Sequence, residues 1–168
     1  MVEVMLGGIP IRLQSGVPVE EYSPVGGVST GRRSGGALVK MRHWRKTAIT
    51  IRGSGWMGPG FSGLDFDQPL ELRCTKQKAL TTTELTGTLP GTPRPDDAPW
   101  ALAYVGGDWH RTPVVVEPDR TFTITPVPGA LQYQVCWLPV FTVFCEPPPE
   151  AQDSSTGMHD WTITAEEI

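Results

Sequence analysis

The stretch KTAITIRGSGWMGPGFSGLDFDQPLELRC, residues 46–74, decides between two fold classes. A β-branched run from Thr47 to Ile51 leads into a loop that matches G-x-G-x-x-G twice, at Gly53, Gly55 and Gly58 and again at Gly58, Gly60 and Gly63. A strand followed by that pattern is the dinucleotide-binding fingerprint of an α/β fold. The fingerprint needs a helix opening at the glycines, because the N–H groups of its first turn hold the pyrophosphate. Pro59 and Pro69, with Gly60 and Gly63, leave no room for that helix, and no Gly-Lys-Ser/Thr follows to make a P-loop. Alternation resumes in PLELRC, with Leu70, Leu72 and Cys74 on one side of a strand. The segment reads as strand, loop and strand, and nucleotide binding is set aside.

The same habit extends in both directions. VEVMLGGIPIRL reads as two short strands around a Gly7-Gly8 hairpin turn, and SGVPVEEYSPVGGVSTGRRSGG, residues 15–36, as a long loop. In ALVKMRHW, Leu38, Lys40, Arg42 and Trp44 share one face and Ala37, Val39, Met41 and His43 the other; the second, more apolar face is expected inward. Downstream, TTTELTGTL is strand-like, and hairpins are expected at Gly106-Gly107 and at Pro118-Asp119. LQYQVCWLPVFTVFCE makes two strands broken near Pro139, PPPEAQDSSTGMHD a polar loop, and WTITAEEI a last strand. No window combines helical periodicity with a cap and a stop. The fold class is all-β, a sandwich or barrel-like domain with little or no helix. The composition shift near residue 79 and the return to a strand at 161 suggest a core domain of residues 1–79 plus 156–168 with an inserted β-rich subdomain over 80–155.

Composition supports a folded, turn-rich chain: Gly 19 and Pro 17 in 168 residues are offset by six Trp, five Phe and three Tyr. No run of 18 apolar residues is present, so no transmembrane anchor is expected, and the alternating N-terminus does not read as a secretory signal. Three cysteines, Cys74, Cys136 and Cys145, show no C-x-x-C spacing and read as buried reduced thiols, with a Cys136–Cys145 bridge as the other option. Charge is unevenly placed. Residues 1–78 carry 11 Lys or Arg against 6 Asp or Glu, and residues 79–168 carry 3 against 12. From Arg32 to Arg52 there are seven Lys or Arg, plus His43, and no acid. Nucleic-acid binding would use such a basic stretch, but the acidic half would repel a phosphate backbone. Head-to-tail matching of unlike faces between copies is the preferred reading.

Candidate chemistry is sparse. His43, His110 and His159 are dispersed and lack zinc-ligand spacing. Asp65 and Asp67 could hold a cation on one strand face, yet no EF-hand pattern surrounds them, and solvated loop carboxylates are the preferred reading. No catalytic, cofactor or metal residue is assigned. Trp56, Met57 and Phe61, with Leu64 and Phe66, put large apolar groups on a glycine-rich backbone. Such a loop either folds over its own sheet or buries its tip in a neighbour. Six tryptophans also suit a carbohydrate-binding module, for which Trp109, beside His110 and Arg111, is the best candidate contact.

GGALVKMRHWRKTAITIRGSGWMGPGFSGLDFDQPLELRCT, residues 35–75, together with the closing WTITAEEI, resembles tail-tip and tail-associated structural proteins of long-tailed bacteriophages. The resemblance implies a virion protein of distal-tail or tail-tube type, made in the host cytoplasm and working without a cofactor. It implies a homo-oligomeric ring of three- or sixfold symmetry in contact with other tail proteins. On this reading Trp56, Met57 and Phe61 are the expected assembly contacts, with Arg42 and Arg45 as outward-facing charged partners. Neither nucleic acid nor a membrane is an expected partner.

Overall fold

The structure, a computed structural model, describes residues 2–168 and is built from short strands joined by tight turns. In chain order these are β1 (Met5–Leu6), β2 (Ile9–Pro10), β3 (Val19–Val25), β4 (Val28–Arg32), β5 (Leu38–Arg42) and β6 (Lys46–Gly55). They continue with β7 (Leu70–Arg73), β8 (Lys78–Thr82), β9 (Thr86–Thr88), β10 (Trp100–Val105), β11 (Asp108–Thr112) and β12 (Val114–Val116). The last are β13 (Thr121–Ile124), β14 (Gln132–Trp137), β15 (Val140–Cys145), β16 (Glu150–Asp153) and β17 (Met158–Glu167). One 3-10 turn, Leu13–Ser15, is the only helical element among the described residues. The all-β class expected from the sequence is therefore what the chain adopts.

The chain divides into two compact units, Met1–Pro10 with Glu71–Phe141, and Ile11–Leu70 with Thr142–Ile168. Of the segment expected as an insertion over 80–155, residues up to 141 fall in the first unit and the rest in the second.

In the first unit, turn chemistry fixes the hairpins. Gly7 and Gly8 have φ of 56° and 83°, and Gly106 and Gly107 have φ of 61° and 92°, so both two-residue loops take the doubly left-handed turn that matches strand twist. At Pro118-Asp119 a turn closes between Arg120 N–H and the Glu117 carbonyl, and Arg120 itself sits at φ 71°. Asp119 steadies it by accepting from both the amide and the hydroxyl of Thr121. A four-stranded sheet, β11-β10-β14-β8, and a three-stranded sheet, β12-β13-β9, then share one core. Ala101, Ala103, Tyr133, Val135 and Trp137 come from the first sheet, Phe122 and Ile124 from the second, and Leu89 from just past β9. Alternate residues of β10 and β14 face this core, as period-2 packing requires.

A buried cation ties loop to strand in this unit. Arg94, only 2% exposed, forms a two-pronged pair with Asp96, and also donates to the carbonyls of Glu3 and Cys74 at 3.0 and 3.1 Å. These contacts draw the proline-rich loop against β7. A buried guanidinium is tolerated because its donors are matched. The Arg94 hydrogen bonds, and the charges of Arg94 and Arg73, lower the Asp96 carboxyl from 3.8 to about 2.

In the second unit, β17 is central: it pairs with β15 on one side and β6 on the other, and β3 lines the far edge of β6. Its buried face carries Trp161, Ile163 and Ala165, paired with Gly53, Ile51 and Ile49 of β6. Two corrections concern residues read as loops. Residues 15–36 contain β3 and β4, and the proline-rich segment 147–160 contains β16, which pairs with β17. The β16–β17 turn is closed by Asp153, which accepts from the amide and hydroxyl of Ser155, with Gly157 at φ 71°. A third correction concerns residues 37–43. Leu38, Met41 and His43 are exposed and Val39 is half-buried, so neither face of β5 is a core face.

Cys74, Cys136 and Cys145 are all buried, and no disulfide forms among the described residues, in accord with the reduced-thiol reading. Among those residues no helix is long and apolar enough to cross a membrane.

Two outcomes test this architecture. A methyl group at Gly53 would stand 2.4 Å from the buried Trp161 ring. Gly53→Ala should therefore destabilise the protein by about 1–3 kcal/mol in urea unfolding. The Asp96 carboxyl has a lowered folded-state pKa, so its stabilising effect is complete above the ordinary value of 3.8 and is lost as pH falls through about 2. Asp96→Asn should lower stability at neutral pH and flatten its fall between those two values.

Candidate functional site

The glycine loop after β6 is pinned by backbone contacts that only glycine allows. A Cβ at Gly55 would lie 2.2 Å from the Gln14 carbonyl oxygen, and one at Gly16, where φ is 96°, would lie 2.0 Å from that of Ser54. The 3-10 turn and the end of β6 thus meet main chain to main chain. Three hydrogen bonds hold the approach. Met57 N–H donates to the Gln14 carbonyl at 3.2 Å, and Ser15 Oγ to the Gly58 carbonyl at 3.4 Å. The buried Trp161 Nε1–H donates to the Ser15 carbonyl at 2.7 Å. Of the glycines in the twofold G-x-G-x-x-G match, Gly55 alone serves packing of backbone on backbone; Gly53 lies against the Trp161 ring, Gly58 faces the Glu150 carboxylate, and a Cβ at Gly60 or Gly63 would meet nothing within 4 Å.

The loop resolves into two parts with different fates. Pro59 and Phe61 are buried, and Phe61 opens a turn closed by Leu64 N–H to the Phe61 carbonyl. Trp56 and Met57, between the buried Gly55 and Pro59, stand out at 64% and 44% exposed. Of the three expected assembly contacts, two are presented at the surface. Phe61 is buried, 2% exposed, and acts as an internal anchor of the loop. Asp65 and Asp67 lie in a turn in which Asp65 Oδ1 accepts from the Asp67 amide. Among the described residues no three or more His, Cys, Asp or Glu side chains cluster to hold a metal ion; His43 lies between β5 and β6, His110 on β11 and His159 on β17.

A second surface feature was missed by sequence reading. β3 and β6 pair from Val19↔Arg52 to Val25↔Lys46, and β4 and β5 continue the same hairpin from Val28↔Arg42 to Arg32↔Leu38. Where the halves join, Gly26 and Gly27 oppose three residues, His43, Trp44 and Arg45, which makes a bulge. Glycine is required here too, because a Cβ on Gly26 would stand 2.4 Å from the Trp44 carbonyl oxygen and one on Gly27 2.9 Å from Trp44 Nε1. Beyond the bulge, β4 and β5 pair only with each other among the described residues, and β4 is exposed throughout. Arg42 and Arg45 are exposed, as expected.

The ribbon's two faces differ. One carries the cross-strand pairs Val28–Arg42, Thr30–Lys40 and Arg32–Leu38; the other carries Ser29–Met41 and Gly31–Val39. At its root, Trp44 with Lys40, Arg42, Arg45, Val25 and Val28 bounds a notch of about 180 Å³. None of those three cations enters an ion pair among the described residues.

Across the same unit lies a groove of about 540 Å³, also missed in the sequence. Phe144 and Glu166 face each other across β15 and β17, Glu146 and Thr164 extend the floor, and Phe66 and Asp67 form a side. Phe144 is 48% exposed. Asp67, Glu146 and Glu166 likewise have no ion-pair partner among the described residues. Burial and the neighbouring Glu146 raise the Cys145 thiol above its ordinary range, so the groove's sulfur stays neutral.

Trp109 belongs to the other unit. It pairs with Tyr104 across β10 and β11, the rings tilted by 51° with centroids 5.1 Å apart, and it is 38% exposed beside the exposed His110 and Arg111. No protein-family model matches this chain, and no curated protein aligns with it significantly.

Phe61→Ala should cost about 3–5 kcal/mol in unfolding free energy, the loss expected for emptying a fully buried aromatic site. It should also increase proteolytic nicking within residues 56–66. A cost below about 1 kcal/mol, the level of surface substitutions, would show that the ring is not the loop's anchor.

Proposed function

We propose that this protein is a structural component of a bacteriophage tail, a tail-tip, baseplate or tube-associated ring protein that works through self-assembly and contacts with neighbouring tail proteins. The virion tail is then its working location, reached by assembly in the host cytoplasm. It requires no cofactor and no chemical step. Support comes from residues 35–75, whose resemblance to tail proteins covers β5, β6, the glycine loop and β7.

The observation that carries the reading is where the apolar side chains of that segment lie. Leu38, Met41, Trp44, Trp56 and Met57 are all at least 44% exposed, and they sit on a two-stranded ribbon and a pinned loop. Large apolar groups on a pinned loop lower the ordering cost of an interface and supply its anchors. A two-stranded ribbon on its own is marginal in water and gains from a covering partner. Trp56 and Met57 are the proposed loop anchors, with Arg42 and Arg45 as charged partners beside Trp44.

A carbohydrate-binding reading is favoured by one observation, the half-exposed Trp109 ring braced by Tyr104 with His110 and Arg111 alongside. A glycan array separates the two readings, since saturable binding lost in Trp109→Ala would support the second.

For the leading proposal, Trp56→Ala should leave unfolding stability within about 0.5 kcal/mol of the parent, as for other exposed positions. The same variant should lose self-association in sedimentation and be excluded from tail particles. Normal incorporation of the variant would remove the loop from the interface.

A further inference from the structure

We propose that the basic face of the β4–β5 ribbon docks into the acidic, aromatic groove over β15 and β17 of a second copy. This rests on the assembly reading above and names the two surfaces that meet. The groove offers three carboxylates, Asp67, Glu146 and Glu166, around Phe66 and Phe144. The ribbon root offers three cations, Lys40, Arg42 and Arg45, around Trp44 and Val28. Each set is devoid of ion pairs among the described residues, so neither charge is already compensated within its own protomer. The apolar parts match as well, because Val28 and Leu38 share the ribbon face that bears Arg42 and Lys40, while Phe144 lies directly opposite Glu166. Like-signed surfaces would repel, and an uncharged groove would leave the cations to water. The complementary pattern favours the second copy over either.

The contact is head-to-tail. In the sheet order β15-β17-β6-β3, the groove lies over the first two strands and the ribbon grows from the last two. Donor and acceptor are therefore different surfaces of one protomer, and repeating the contact gives a closed ring or an open filament. A basic ribbon with a tryptophan at its root would also suit nucleic acid. Trp44, however, is laid against Gly27, leaving less ring face for stacking, and apolar residues alternate with the cations along the face.

The test is a charge swap in the full chain, read by sedimentation over a range of protein and salt concentrations. R42E/R45E and E146K/E166K alter exposed side chains only and should melt like the parent. Each should weaken self-association by about tenfold or more, the size expected for reversing close interfacial charges. The variant carrying all four reversals, and an equimolar mixture of the two double variants, should regain association. Parent association should weaken as salt rises. If the parent associates and the double variants associate equally well, this pairing of surfaces is wrong while the assembly reading stands. A parent that stays monomeric at every concentration, and is absent from tail particles, overturns both. If the parent binds a DNA duplex, R42E/R45E abolishes that binding, and E146K/E166K associates like the parent, the ribbon is a nucleic-acid arm and the pairing fails.

Discussion

The second unit depends on one close approach of main chain to main chain. Gly16 and Gly55 bring the 3-10 turn against the end of β6 at distances that a single methyl group would forbid. Trp161 caps the junction by lying on Gly53 and donating its indole N–H to the Ser15 carbonyl. Burying so large a ring with its one donor matched gives strong apolar stabilisation without an orphaned polar group. It also joins three distant parts of the chain at one point, the 3-10 turn, β6 and β17. The exposed Trp56 and Met57 are held out from this point by the same contacts, since the backbone on either side of them is fixed. Rigidity here serves presentation.

The ribbon beyond Gly26 is the opposite case. Its inner half belongs to a larger sheet, and its outer half is a two-stranded sheet with no third strand among the described residues and with β4 exposed throughout. Sheets with exposed edges invite pairing, and proteins usually blunt such edges with charge, proline or bulges. All three devices occur here: Pro24 near the end of edge strand β3, the bulge at Gly26-Gly27, and the cations along β4 and β5. Together they suppress promiscuous strand addition while leaving side chains available on both faces. Any partner is therefore selected by side-chain chemistry, and the cations set its sign.

Much of the fold was legible because local turn chemistry and period-2 patterning act over a few residues. The Gly7-Gly8 and Gly106-Gly107 hairpins follow from the left-handed conformation their turns demand, and Leu70, Leu72 and Cys74 are buried as their alternation implies. The failures share a physical cause. Residues 15–36 were read as a loop because proline and glycine mark breaks, yet Pro24 sits on an edge strand and Gly26-Gly27 at a bulge, where both are tolerated. Val39 and Met41 were expected inward because alternation separates two faces of a strand. It carries no information on whether another layer covers either one. The candidate site was legible only in part. Trp56 and Phe61 look alike in sequence, yet Trp56 is exposed and Phe61, at the start of the turn closed by Leu64, is buried. The acidic groove draws residues from 66 to 166, and only strand pairing brings them together.

That long-range pairing has a consequence for when the surface exists. β6, which carries the ribbon root and leads into the glycine loop, hydrogen-bonds along almost its whole length to β17, more than a hundred residues later. Among the described residues, the strand pairing internal to 11–70 is the β3–β6 and β4–β5 hairpins, with the 3-10 turn packed on the end of β6, and hairpins without a third strand are marginal. Closing so long a connection carries an entropic cost that the contacts of β17 must offset. The groove floor needs β17 as well, since Thr164 and Glu166 are part of it. The ribbon root and the groove floor therefore both depend on β17. A chain not yet paired through β17 lacks the groove floor and the strand that flanks β6, so under the proposed pairing of surfaces neither face is complete before β17 is in place.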